Sequence, residues 1–245
     1  MGYAEFSRFY DSAMKDYSWC SSFIISLFNE YCSKKDSLLE LGCGTGRILE
    51  LLGDQFNELH GLDLSQEMLA YAEKRVPDAH LHHMDMTSFA LDTSFDAILC
   101  VFDTINHILD YSGWLETFKH AKKHLNPGGF FLCDINTPAR LQRLSILPPF
   151  ITPIEHDSQV LMEVEERLAD DFNFNVQIFE SLGDNLFKRH EIVIHEHTVD
   201  PFVVLQDLEK LFSEVKVYNE ECEPVVGREE FEMSLNGRMF FLCMK

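Results

Sequence analysis

Positive charge is scarce in this sequence. Only 20 Lys and Arg stand against 41 Asp and Glu, a formal net charge of −21 with a pI near 4.8. A field of that sign repels phosphate backbones and anionic lipid surfaces. The basic pairs Lys34–Lys35, Lys122–Lys123 and Lys188–Arg189 are isolated and form no patch. Nucleic acid is therefore disfavoured as a partner, and a small neutral or cationic molecule suits the chain better. Long apolar runs are missing as well. No stretch reaches the roughly 18 residues of a membrane span, so no membrane association is expected. Glu5, Arg8, Asp11 and Lys15 stand where a secretory leader would be apolar, so no signal peptide is expected. The seven cysteines are odd in number and contain no C-x-x-C, which points to unpaired thiols in a reducing cytoplasm. G-x-S-x-G and H-E-x-x-H are absent, which removes support for hydrolase readings. No feature specifies an oligomeric state.

What is present is an ordinary globular composition, 46% hydrophobic and 12% aromatic, with 21 Phe for a ring-rich core or pocket. From residue 36 short apolar runs alternate with helical patterns. Strands are expected at 37–42, 58–64, 79–85, 95–102 and 130–135. Helices are expected from Arg47, over 65–75 with Ser65 as N-cap, and over about 112–125, with "NPGG" (126–129) turning the chain into the fifth strand. Repeated β–α alternation with continuous apolar strands predicts a doubly wound α/β fold with a parallel sheet. Ahead of it lies an amphipathic helix carrying Phe23, Ile24, Leu27, Phe28 and Tyr31. Before that, "FSRFYDSAMKDY" (6–17) reads as a helix able to fold over a ligand. Residues 159–168, 172–181 and 186–197 alternate with period two and predict an antiparallel meander. The α/β rhythm resumes at Asp200–Pro201, an N-cap followed by Pro at the first helical position, and two strands close the chain at 212–218 and 238–244. The expected organisation is one α/β domain, 1–135 plus 198–245, interrupted by a β-rich insertion at 136–197.

The segment "LLELGCGTGRILELL" (38–52) places Gly42, Gly44 and Gly46 between a strand and a helix. Ligands of open α/β sheets bind at the carboxyl ends of the strands, and glycines there let backbone N–H groups approach them. Asp63, 17 residues beyond Gly46, ends the second strand and suits a ribose diol, whether of NAD or of S-adenosylmethionine. Two features separate these. The loop is G-x-G-x-G followed by Arg47, so the third glycine of the dinucleotide fingerprint is missing. Glu40, Asp63 and Asp85 also surround the pocket with carboxylates, which oppose a pyrophosphate and suit a cationic sulfonium. S-adenosylmethionine is the better cofactor on both counts.

Taken together, "LLELGCGTGRILELL", "GLDLSQEMLAYAEKR", "HMDM", "FDAILCVFDTINHI" and "HLNPGGFFLCDIN" resemble the successive motifs of class I S-adenosylmethionine-dependent methyltransferases. The resemblance covers roughly residues 36–135. It implies a Rossmann-like seven-stranded sheet, mostly parallel with the last strand antiparallel, plus an antiparallel β cap roofing the acceptor pocket, as in the branch acting on small molecules. It further implies that the loop of Gly42, Cys43, Gly44 and Gly46 holds the methionine part and that Asp63 takes the ribose. Asp85 and Met86 would flank the adenine, Leu64 and Met68 would pack near the ribose or adenine, and Phe102 would lie beside the methionine end. Tyr10 resembles the aromatic that closes over the cofactor.

Methyl transfer needs an aligned acceptor and a place for one proton. His107, after the fourth strand, is the candidate base, matching a His in some amino-sugar N-methyltransferases of this class. Asp103 and Asn106 read as residues that order its loop. His195 and His197 share one face of the last insertion strand and are weaker candidates; as H-x-H they lack a third partner, so no metal is assigned. The "HLHH" run (80–83) reads as ordinary strand. No Asn/Asp-Pro-Pro-Tyr follows the fourth strand, which argues against nucleobase or glutamine amide nitrogens. The reading is a methyltransferase for an N or O acceptor on a small molecule. RNA or protein methylation with a partner subunit, or a non-catalytic cofactor-binding protein, remain alternatives.

Overall fold

A computed structural model describes residues 3–13 and 18–245. Residues 14–17, the end of the first expected helix, lie outside the described residues, as does the side chain of Cys20. Helices α1 (Tyr3–Ala13) and α2 (Ser18–Tyr31) precede β1 (Ser37–Leu41), α3 (Arg47–Leu52), β2 (Glu58–Asp63), α4 (Gln66–Arg75), β3 (His80–His83) and β4 (Phe95–Cys100). A 3-10 turn (Thr104–His107) leads to α5 (Tyr111–His124), β5 (Leu125–Asn136) and α6 (Pro138–Ser145). Then come β6 (Phe150–Pro153), β7 (Gln159–Leu168), β8 (Asp171–Gly183) and β9 (Leu186–His197). Helix α7 (Pro201–Leu211), β10 (Glu214–Tyr218), α8 (Gly227–Ser234) and β11 (Arg238–Met244) complete the chain.

The main sheet has the order β10-β11-β5-β4-β1-β2-β3. All its pairings are parallel except those of β11, which runs antiparallel to both β5 and β10. The central strands β1 and β4 are buried at every position, so their alternate side chains feed two cores. Leu39, Leu41, Ile98 and Cys100 face α5 and α7 through Trp114, Phe118, Val204 and Leu208. Leu38, Ala97 and Leu99 face α2 and α3 through Ile24, Leu27, Phe28 and Leu49. Continuous apolar strands thus became a sheet covered on both faces, as the pattern required. Ser65 caps α4 by accepting from Met68 N at 3.2 Å, and Asp200 caps α7 by accepting from Phe202 N at 2.8 Å.

The second sheet, β6-β7-β8-β9, is wholly antiparallel. Asp184 and Asn185, both at positive φ, form the tight β8–β9 turn. One face of this sheet closes over α1 through Phe9, Val160, Val176, Ile178 and Ile192, so α1 bridges the two sheets.

Three local expectations need correction. The third strand ends at His83, leaving Asp85 in the turn beyond it, and the fourth ends at Cys100, because Phe102 and Asp103 take positive φ. "NPGG" is a bulge within β5: Phe95 pairs with Leu125 but Ala97 with Phe130, and Gly128 takes φ 80°. The "HLHH" run is the partly exposed strand expected, with His82 Nε2 meeting His60 Nδ1 at 3.2 Å across the β2–β3 pair. Finally, α6, β6 and α8 carry no long periodic signal, although Thr137–Pro138 is an N-cap with Pro at the first helical position. Among the described residues no helix is long and apolar enough to cross a membrane.

Trp114 is fully buried, and its Nε1 donates to Ile108 O at 2.9 Å, tying α5 to the loop that carries His107. Trp114→Ala is expected to cost about 3–5 kcal/mol in urea unfolding. A loss below about 1 kcal/mol would show that this core readily collapses around the missing ring.

Candidate active site

The carboxyl ends of β1, β2 and β4 meet at one edge of the main sheet. There Gly42, Gly44 and Gly46 take φ of 67°, 53° and 76°. A Cβ on Gly42 would lie 2.3 Å from Thr104 Cγ2, so this glycine permits the β4 loop to close in. A Cβ on Gly44 would meet no atom within 4 Å; its backbone borders open space. The loop is pinned from the side: Gly44 N donates to Asp63 Oδ2 and Ser65 N to Asp63 Oδ1, both at 2.8 Å. Burial pushes the Asp63 carboxyl up, and these N–H groups and the nearby His107 partly offset it. Glu40 is buried beside it, and its Oε2 has no hydrogen-bond partner. Burial, and then the charge of Asp63, push Glu40 well up. The Cys43 side chain is buried under the loop, where a Cβ on Gly61 would sit 2.7 Å from its Sγ. Burial pushes that thiol well up.

Around this loop the other sequence-selected residues spread outward. Met68 is buried at the start of α4, whereas Leu64 is 70% exposed. Asp85 is exposed and its Oδ1 accepts from Thr87 N and Oγ1 at 2.8 Å, so it shapes its own turn; Met86 beside it is half-buried against the α5-side core. Phe102, at φ 61°, projects from the β4 loop with Arg238 over its ring at 5.8 Å. Tyr10 packs against both the main-sheet core and the cap core. Helix α1 is fixed there by contacts the sequence did not reveal. Asp11 accepts from Thr45 Oγ1 at 2.8 Å and from Arg75 at 2.5 Å, while Arg75 also donates to Thr45 O at 2.8 Å. A helix from the start of the chain is thereby tied to the glycine loop.

The β4 loop forms the other wall. His107 Nδ1 lies 3.3 Å from His195 O. A carbonyl only accepts, so Nδ1 carries the hydrogen and the lone pair of the neutral ring sits on Nε2. Asn106 is fully buried and joins three segments: its Oδ1 accepts from Asn136 N at 3.0 Å, and its Nδ2 donates to Asn136 O at 3.2 Å and His197 O at 2.9 Å. His195 Nδ1 is 2.7 Å from Asn173 Oδ1 and His197 Nδ1 is 2.8 Å from Asp171 Oδ1, so both rings lie against β8. Strand alternation turns the intervening Glu196 to the opposite, buried face, and a Glu196 carboxylate oxygen, one of Asp103 and a ring nitrogen of His107 all lie within 4.8 Å of one another. Asp103 pairs with Arg238, which also donates to Asp134 at 2.7 Å. Glu196, Asp134 and Arg238 were missed because they come from three distant strands; the only local trace was the phase of "HEH".

Residues 38–129 match a family model described as a methyltransferase domain. The chain is 38% identical over 120 residues to a dTDP-3-amino-3,6-dideoxy-alpha-D-glucopyranose N,N-dimethyltransferase of Streptomyces fradiae, covering 49% of this chain and 47% of that protein. It is 36% identical over 129 residues to a dTDP-3-amino-3,4,6-trideoxy-alpha-D-glucopyranose N,N-dimethyltransferase of Streptomyces venezuelae, covering 53% and 54%. The chain thus spans about half the length of these curated relatives. The crystal structure of a S-adenosylmethionine-dependent methyltransferase from Clostridium acetobutylicum superposes with a TM-score of 0.82 over 99% of this chain and 98% of that one, at 25% identity.

The wall has a titration signature. Burial raises the Asp134 carboxyl to about 6, against the lowering effect of Arg238. The folded protein therefore holds this proton to higher pH than the unfolded chain does. Stability is lost as pH rises from about 4 to about 6 and is level above. Asp134→Asn removes that loss. The variant is expected to gain on the wild type across this window by up to about 3 kcal/mol, read from urea unfolding at a series of pH values. Parallel curves would show an unperturbed Asp134.

Proposed function

We propose that this chain, a class I methyltransferase in fold, is an enzyme that transfers a methyl group from S-adenosylmethionine to a nitrogen or oxygen of a small molecule. The observation that carries the reading is the charge at the glycine loop. Glu40 and Asp63 sit side by side, the charge of Asp63 acting on Glu40, and Glu40 leaves a buried oxygen unpartnered. Such a pair fits a ligand with positive charge and opposes a pyrophosphate. The open space over Gly44 leaves room for that ligand against the backbone.

On this reading the Gly42–Gly46 loop and Glu40 hold the aminoacyl end and Asp63 the ribose. Met68 and Met86 border the adenine side, with Leu64 and Asp85 at its rim. Tyr10 and Phe102 cover the reacting end, and α1, tied through Asp11, excludes water. The cofactor supplies an electrophilic methyl on a positively charged sulfur. The protein's part is to align the acceptor beside His107 and to remove one proton, for which His107 Nε2 is the base. The names of the relatives make amino sugars on a nucleotide the first acceptor class to try. The six described cysteines are all unpaired, which supports a reducing, cytoplasmic setting.

The test is methyl transfer from labelled S-adenosylmethionine to paired amino and hydroxy sugars, with calorimetric binding of S-adenosylhomocysteine and NAD alongside. Label should appear in a small product, and only the methionine-derived ligand should bind. Binding of NAD alone would overturn the reading; binding without turnover on any acceptor would leave a cofactor sensor. Gly44→Ala gives an internal control. The added methyl fills space that no protein atom occupies, so affinity for S-adenosylhomocysteine should fall at least ~10-fold, while folding loses only the ~1–2 kcal/mol of a left-handed alanine.

A further inference from the structure

Between the candidate base and the cap lies a buried group of charges that do not cancel. Asp103 and Asp134 both pair with the guanidinium of Arg238, whose charge is also felt by Glu196. Asp134 Oδ1, wholly buried, has no hydrogen-bond partner. Glu196 is 2% exposed, and Asn136 holds it in place by donating from Nδ2 to Oε2 at 2.9 Å. The Asn136 amide is itself oriented, because Arg140 Nε donates to its Oδ1 at 2.9 Å. Carboxylate oxygens of Glu196 and Asp103 lie within 4.8 Å of each other, and burial together with the charge of Asp103 pushes Glu196 well up against the pull of Arg238, so the pair favours a shared proton. The shared proton covers one charge of the group and can be exchanged for another cation. Arg238 already occupies one oxygen of Asp103, so the cluster has room for a single positive charge beside His107.

We propose that Asp103 and Glu196 are the seat of the acceptor's amine, which enters as an ammonium in place of their shared proton. The inference rests on the methyltransferase reading and narrows its acceptor from nitrogen or oxygen to an amine. On binding, Glu196 releases its proton to solvent and the ammonium N–H groups donate to the two carboxylates. His107 Nε2 then takes one proton from nitrogen. The freed lone pair forms the N–C bond as the C–S bond breaks, and its electron pair stays on sulfur. The product is again an ammonium, so the seat holds it for a second methylation once another proton leaves. A hydroxyl in the same place carries no charge to replace the proton, which makes Glu196 a specificity residue that discriminates amines from alcohols.

The shared proton can be read without knowing the acceptor. Infrared difference spectra between wild type and Glu196→Gln should show a carboxylic-acid carbonyl band in the wild type alone. Saturating n-propylammonium chloride should bleach that band, while n-propanol or sodium chloride at equal concentration should not. A difference spectrum without a carboxylic-acid band, or a Glu196 band that propylammonium leaves unchanged, would overturn the proposal. With any acceptor that turns over, Glu196→Gln and Asp103→Asn should lower kcat/KM for amines by about 30-fold or more and shift the acid limb of its pH profile. Affinity for S-adenosylhomocysteine should stay as in the wild type. Turnover of hydroxy but not amino sugars would also overturn the seat while sparing the methyltransferase reading. Loss of that parent reading is a different result, seen as no affinity for S-adenosylhomocysteine at all.

Discussion

The carboxylate of Asp63 is the fixed point on which the rest of the site depends. It accepts from Gly44 N and Ser65 N at 2.8 Å, so one side chain at the end of β2 sets both the path of the loop after β1 and the start of α4. A loop with three left-handed glycines has little rigidity of its own. Held by Asp63, it presents its backbone edge to open space and places Thr45 where Asp11 of α1 can reach it. The same carboxylate adds to the burial that pushes its neighbour Glu40 well up, and it lies close enough to His107 to interact with it. Loop, α1 and His107 are thus referenced to one group.

A second cluster of carboxylates stands across the site. Asp103 ends up beside Asp134 because the chain leaves β4 through two residues at positive φ, and Arg238 at the start of β11 bridges both. Buried ion pairs of this kind contribute little net stability, since desolvation offsets their attraction. Their effect here is positional. Arg238 holds the β4 loop against the sheet, while Asn106 and Asn136 join that loop to the end of β9.

Much of the fold was legible because its signals are local. The apolar runs of β1 and β4, the Ser65 and Asp200 caps, and the alternation of β7, β8 and β9 each specify their element without help from distant residues. The glycine loop and Asp63 were legible for the same reason: strand, glycines, helix and acid follow one another in order. What stayed hidden depends on packing between remote segments. Asp11 reaches Thr45 across 34 residues, Arg238 reaches Asp103 across 135, and Asn136 reaches Glu196 across 60. In β9 the histidines of "HEH" drew notice, yet the strand turns Glu196 toward His107 and lays both rings against β8. Only the position of the cap on the sheet decides which phase faces in. Short elements such as β6 and α8 escaped because four to eight residues hold too little periodicity to read.

Isothermal calorimetry of S-adenosylhomocysteine on wild type and Asp63→Asn tests the central claim most directly. Asparagine keeps the shape and removes the charge. The expected result is a loss of affinity of roughly 10-fold or more, with unfolding midpoints that differ little. Equal affinities for the two proteins would contradict the account, because the ligand would then bind somewhere that Asp63 does not organise.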